Sequence, residues 1–389
     1  MAAFAIAAVS APLSGDLSAR AQDKVVIEIF YVERQVPQSP TLSNLDKPPE
    51  DEGLAGARLA IQDNATTGRF LGHEYKLREL IVPPEGDFRD AVKSALAERP
   101  AEFIVANMPA EDLLALADLP ELQDSVIFNA GARDTRLRNE DCRANVLHTA
   151  PSRAMLTDAL AQFLVKKQWA ELFMIFGPNP ADKRFAASMR NSIEKFDLNL
   201  VEEKEWPFAA DMRRTASAEV PRFTQGVEYD VLIVADETKD FGRYLLYQTW
   251  LPRPVAGTQG LTPTAWSEVV EQWGAAQLQS RFEELAGRSM RATDFTVWSA
   301  ARIVGEAVTN AGSGDFAEIM AEIRKPDARF AQFKSVPLSF RGWNGQLRQP
   351  VPLVHAGAVT ALAPFEEFLH QGSELDTLGI DEPESQCEL

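Results

Sequence analysis

The segment ARDTRLRNEDCR, residues 132–143, places Arg133, Arg136, Arg138 and Arg143 within twelve positions, and Arg153 follows ten residues later. Guanidinium groups present fork-shaped donors that match carboxylates and phosphates two bonds at a time. In a chain whose formal net charge is −18, a local excess of arginine points to an anionic small molecule. The same run also carries Asp134, Glu140 and Asp141, and as a whole reads more readily as a solvated face in which the charges balance one another. Arg153 stands apart, because it opens a helix at a corner of the chain.

Three other sets of residues have types suited to ligand contact. Tyr31, Glu33 and Arg34 end the first apolar run and open a loop of about twenty residues, long for an α/β unit. Beyond Arg34 that loop reads equally as a proline-rich surface excursion. Asp236 and Glu237 follow the run VLIVA at 231–235, where they would hold an amine or cap the next helix. Trp266, Trp273 and Trp298 offer flat faces for stacking a planar ligand, although most such rings fill cores.

Catalytic patterns are missing. There is no G-x-S-x-G elbow, P-loop, G-x-G-x-x-G or H-E-x-x-H, so neither an enzyme nor a cofactor is expected. His73, His148, His355 and His370 are dispersed with no metal-ligand spacing, and His148 reads as structural. An excess of 57 acidic over 39 basic residues argues against a nucleic-acid surface. No later segment reaches the ~18–20 apolar residues of a membrane helix.

The elements that must position these residues recur. Short, nearly continuous apolar runs mark strands buried on both faces: 25–32, 103–106, 125–128, 172–176 and 231–235, with 76–82 more amphipathic. Helical patterns lie between them at 53–63, 88–99, 110–119, 181–196 and 240–250. From Ser152, an N-cap, Met155, Ala159 and Phe163 recur every fourth residue. Alternating strands and helices predict α/β architecture with doubly wound parallel sheets. The break at 149–152 predicts two such lobes, with ligands beyond the carboxyl ends of the strands.

Further on, 254–266 reads as a strand ending in Gly and Pro. Helices are expected over 275–287 and 293–311, and 333–357 reads as a hairpin around GWNG. These give several crossings between the lobes: 25–149 plus 262–334 form lobe 1, 150–258 plus 335–370 form lobe 2, and 371–389 is a tail. Residues 1–21 read as a signal peptide ending in ARA, although no basic residue precedes Arg20; a flexible tail is the other reading. Cys142 and Cys387 are either two thiols of a reducing compartment or a disulfide tying the tail to the first lobe.

The signal-like start, paired α/β lobes, repeated crossings and late hairpin together resemble the type I periplasmic solute-binding proteins of ABC importers, the branched-chain-amino-acid-binding type above all. Residues 142–169, CRANVLHTAPSRAMLTDALAQFLVKKQW, and the tail DTLGIDEPESQCEL are similar to the subgroup encoded with PQQ-dependent alcohol dehydrogenase systems. The resemblance implies a monomeric periplasmic carrier that closes on a small solute and docks on permease subunits. Pyrroloquinoline quinone or an alcohol-derived metabolite is the cargo implied by association. A ligand sensor of the same fold, reporting to a partner protein, would use the same cleft.

Amino-acid-binding relatives hold their ligand with hydroxyl-bearing loops after the third and fourth strands. Here those loops read ANMPAED and FNAGARD, which puts Met108, Asn129 and Ala130 at the matching positions and makes a standard amino-acid ligand a poor fit. The expected ligand contacts are therefore Tyr31, Arg34, Met108, Asn129, Ala130, Arg153, Asp236 and Trp266.

Overall fold

A computed structural model describes residues 24–37, 47–208, 212 and 214–389. Residues 1–21 and the middle of the loop after the first strand lie outside the described residues. The chain opens with β1 (Val25–Arg34), α1 (Leu54–Leu71), β2 (His73–Val82), α2 (Phe88–Glu98), β3 (Phe103–Asn107), α3 (Ala110–Ala117), β4 (Val126–Asn129) and β5 (Val146–His148). Its strands form a parallel sheet of order β2-β1-β3-β4-β5.

A second unit follows with α4 (Arg153–Lys167), β6 (Glu171–Phe176), α5 (Pro180–Lys195), β7 (Asn199–Glu205), α6 (Ala216–Phe223), β8 (Val231–Ala235), α7 (Gly242–Leu245) and β9 (Val255–Gly257). Its parallel sheet has the order β7-β6-β8-β9.

Strand alternation explains the layers. In β1, Ile29 and Tyr31 face one core while Phe30 and Val32 face another, so the run must be apolar throughout. In β6, Leu172 and Met174 pack with α4 and α5, and Phe173 and Ile175 pack on the opposite face with α6. Each fully buried aliphatic side chain contributes about 1.5–3 kcal/mol of transfer free energy. Ser152 caps α4 by accepting the Met155 amide at 3.1 Å, which fixes where the helix begins.

The chain then returns through β10 (Thr262–Pro263) to α8 (Ala275–Ala286), α9 (Ala292–Ala311) and α10 (Phe316–Ile323) on the first lobe. It continues through the short pair β11 (Ser339–Phe340) and β12 (Leu347–Arg348), and ends in β13 (Val351–His355) and β14 (Ala358–Ala363). Three segments cross between the lobes, near 149–152, 264–266 and 348–350. Side chains tie them to one another. The Gln349 amide donates to the Thr149 carbonyl at 2.8 Å, and the Arg138 guanidinium to that of Ala150 at 2.8 Å. The Lys334 ammonium nitrogen reaches the carbonyls of Ala265 and Pro350.

Packing moves two of the expected boundaries. Leu338, Phe340 and Leu347 bury in the first lobe's core, so the chain changes lobe after the GWNG turn rather than at 335. Residues 262–263 pair with β13 and belong with the second lobe. The ladder around GWNG is only two residues per strand, and the longer antiparallel pair is β13–β14. The helix expected over 240–250 is confined to Gly242–Leu245. Cys142 and Cys387 are bonded, their Cα atoms 5.6 Å apart, across 245 positions of sequence.

Candidate functional site

Between the lobes, beyond the carboxyl ends of β4, β8 and β9, lies a cavity of about 670 Å³. The first lobe lends it Glu52, Arg133 and the turn Arg288–Thr293 before α9; the second lends Leu156, Phe185, Asp236, Glu237, Lys239 and Thr258. The second crossing, Thr262–Glu268 with Trp266, forms its hinge wall. A groove of about 730 Å³ lies elsewhere, under the tail between Asp134, α5 and Gly379–Glu384. The inter-lobe cavity sits where open α/β sheets place ligands, which makes it the candidate site.

Of the expected contacts, Asp236 and Trp266 line this cavity. Trp266 is 3% exposed and stacks on Phe295 with centroids 4.6 Å apart, and its indole nitrogen is buried with no partner among the described residues. Asp236 accepts the backbone amides of Asp240, Phe241 and Gly242 at 2.8, 3.0 and 2.6 Å. Burial raises its pKa, and those amides offset part of the shift. Its two oxygens are therefore occupied in shaping the loop after β8.

The other expected contacts are drawn into the scaffold. Arg34 turns to the carbonyls of Pro83, Pro84 and Gly86 at 2.6–2.7 Å, clamping the turn before α2. Met108 packs in the core between the first sheet and α2–α3, and Ala130 in the core on the other face. Asn129 is fully buried and saturated by Ala132 and the His148 ring. Tyr31 is fully buried and donates to Glu33; burial, with the Glu33 carboxylate beside it, raises the phenol's pKa. A run that is buried on both faces carries its terminal polar groups inward with it, which is why strand-end position alone misplaced these residues.

Arg153 joins the lobes rather than facing the cavity. Its guanidinium takes Glu237 of the second lobe at 2.7–3.1 Å and Asp134 of the first at 2.9 Å. Burial alone would lower its pKa, but the two carboxylates outweigh burial and raise it. Burial likewise opposes ionisation of Asp134, and Arg153 overcomes that and holds the carboxyl below its usual range. Arg184 on α5 adds a second cross-lobe contact to Asp134 at 3.4 Å.

The remaining arginines of 132–143 divide three ways. Arg136 pairs with Asp141 and Glu111, and Arg143 with Asp118. Arg138 is 2% exposed at the hinge, its pKa lowered to about 9 by burial. Arg133 is half-buried on the cavity wall; its carbonyl accepts the Arg153 amide, and its guanidinium has no hydrogen bond or ion pair among the described residues. His148 is buried neutral, its pKa pushed well down by burial and the nearby Arg138. Trp298 donates to Asp63 in the core, and Trp273 is 41% exposed away from the cavity.

Sequence reasoning missed the turn at 288–293 and Glu52. The turn precedes a helix instead of following a strand, so the strand-end rule carries no signal for it. Arg288 there is held by Asp51 and Asp294, and Arg291 by Glu52 at 3.1 Å.

No family model and no curated protein matches the sequence. Solved structures do match. A branched-chain amino acid ABC transporter periplasmic ligand-binding protein from Burkholderia xenovorans LB400 superposes with a TM-score of 0.70 at 16% identity, over 93% of this chain and 99% of that one. The fold is that of a type I periplasmic binding protein. A leucine-, isoleucine-, valine-, threonine- and alanine-binding protein from Brucella ovis, in its closed conformation, gives 0.67 at 16% identity over 93% and 98%. A solute-binding protein from R. palustris in complex with benzoate gives 0.64 at 14% identity over 94% and 100%. The Burkholderia and R. palustris neighbours are named as binding proteins of ABC transporters, and no helix among the described residues of this chain is long and apolar enough to cross a membrane.

Proposed function

We propose that this chain is the solute-binding component of an ABC importer, closing its two lobes over one small organic molecule in the periplasm and delivering it to permease subunits. The observation that carries this reading is the cavity of about 670 Å³, walled by both lobes and by a crossing segment. Such a cavity changes shape when the crossings bend, which couples occupancy to lobe closure. The neighbours support it: one is a branched-chain amino acid ABC transporter ligand-binding protein, one an amino-acid-binding protein, and one an ABC transporter solute-binding protein in complex with benzoate.

The finer reading rests on residues 142–169 and the tail 376–389. Their resemblance to receptors encoded with PQQ-dependent alcohol dehydrogenase systems makes pyrroloquinoline quinone, or a metabolite of alcohol oxidation, the first cargo to test. Native mass spectrometry of protein taken from its own periplasm is expected to show one small-molecule adduct per single chain. A thermal-shift panel of the quinone, amino acids and short-chain alcohols and acids then ranks candidates. Protein without an adduct that no member of the panel stabilises would count against a receptor.

A further inference from the structure

We infer that the cleft selects an organic carboxylate bearing no ammonium group, its carboxylate on Arg133 and its apolar body against Leu156, Phe185, Trp266 and Met290. This rests on the receptor reading above and adds the ligand's chemical class to it.

The argument is an inventory of free partners around the cavity. A ligand ammonium needs acceptors, ideally a carboxylate. Asp236 already accepts three backbone amides, and Glu237 is held on two oxygens by Arg153. One oxygen of Glu52 accepts from Arg291, which leaves the carboxylate neutralised by that guanidinium. The hydroxyl of Thr258 accepts the Asp236 amide and donates to the Val234 carbonyl, and Thr264 donates to the Trp266 carbonyl. Among the described lining residues, Glu268 keeps an unpaired carboxylate, and it stands exposed at the rim.

Donors show the reverse balance. The side chains of half-buried Arg133 on the first lobe and exposed Lys239 on the second have no partner among the described residues, and both residues line the cavity. The buried indole N–H of Trp266 also lacks an acceptor. An anion placed between the lobes meets cations from both sides, so binding it favours closure. A half-buried guanidinium accepts a carboxylate on two parallel bonds, a geometry that water does not reproduce. Leu156, Phe185, Trp266 and Met290, each only 2–3% exposed, supply an apolar part of an otherwise polar lining, where an aliphatic or aromatic body finds contact. An α-amino acid carries the same carboxylate together with a cation that finds no counterpart here.

Three probes on one skeleton isolate this: 3-phenylpropionate (carboxylate only), phenylalanine (both groups) and phenethylamine (ammonium only), titrated calorimetrically into the full chain. The acid is expected to bind at least tenfold more tightly than phenylalanine, with no heat from the amine. Arg133→Gln, checked for an unchanged unfolding midpoint, should weaken the acid at least tenfold. Lys93→Gln, the same charge change on the exposed face of α2, should leave it unaltered. Phenylalanine or the amine binding as well as the acid overturns the class. If all three probes fail, the cargo found by native mass spectrometry decides. An ammonium-free acid upholds the class; an amine or a neutral solute overturns it and leaves the receptor standing; no cargo of any kind removes the receptor reading itself.

Discussion

At the scale of single residues, arginines of one short run have three different fates, and burial with its partners decides which. Arg153 sits between two carboxylates that are themselves 13% and 14% exposed. Removing it strands Glu237 and leaves Asp134 only Arg184 at 3.4 Å, so Arg153→Met is expected to lower stability by about 3 kcal/mol in urea titration. A loss within error would mean the bridge is not maintained in solution. Lys334 is the opposite case. It is 4% exposed, with its amine on two crossing carbonyls and no facing carboxylate, and burial lowers its pKa to about 7. The unfolded chain then holds more protons than the folded one between about pH 7 and the free-lysine value of 10.5. Lysine burial therefore costs most below pH 7, and the cost falls as pH rises. The stability of wild type relative to Lys334→Met should improve by about 2 kcal/mol from pH 7 to pH 9. A pH-independent difference would show that the amine is solvated.

At the scale of elements, α1 and α9 show how a sequence permits close approach. A Cβ built on Gly56 would stand 2.0 Å from the Asp294 carbonyl oxygen, so the backbone of α1 lies directly on the start of α9. Gly56→Ala is expected to force the helices apart and cost about 2 kcal/mol, read as a lower thermal midpoint. An unchanged midpoint would show that the two helices move apart freely. Glycine is otherwise unfavourable inside a helix, which makes its presence there a packing signal. Helix α9 is buried nearly all round, Trp298 included, because α1, α10 and β3 of the first sheet surround it. An apolar stripe identified its inner face and left that outer burial unstated.

At the scale of the molecule, the tail joins both lobes. Leu378 packs in the second lobe's core, and Gly379 exchanges hydrogen bonds with Asp158 and Lys195. Eight residues later Cys387 is bonded to Cys142 on the first lobe. Closing 245 residues of sequence separation constrains the unfolded chain by about 5 kcal/mol in the loop-entropy account. Chemical unfolding with and without reductant is expected to differ by up to about that amount, with no thiol reactive before reduction. Two reactive thiols in the oxidised native protein would contradict the bond.

The sequence by itself determined most strands and most helices, β5 and β7 excepted, because two-sided burial and the 3.6-residue period act locally. It also determined the lobed α/β plan, since an apolar run on both faces admits few alternatives. Tertiary packing alone decided which polar residues remain free. Met108, Asn129, Arg34 and Asp236 all stand at strand ends, and in each the side chain is claimed by the core or by internal hydrogen bonds. Arg133 and Arg138 differ only in what lies across from them: an open cavity for one, and the carbonyls of Ala132 and Ala150 with Gln346 for the other. Availability to a ligand is what remains after all internal partners are satisfied, and that remainder is a property of the folded whole.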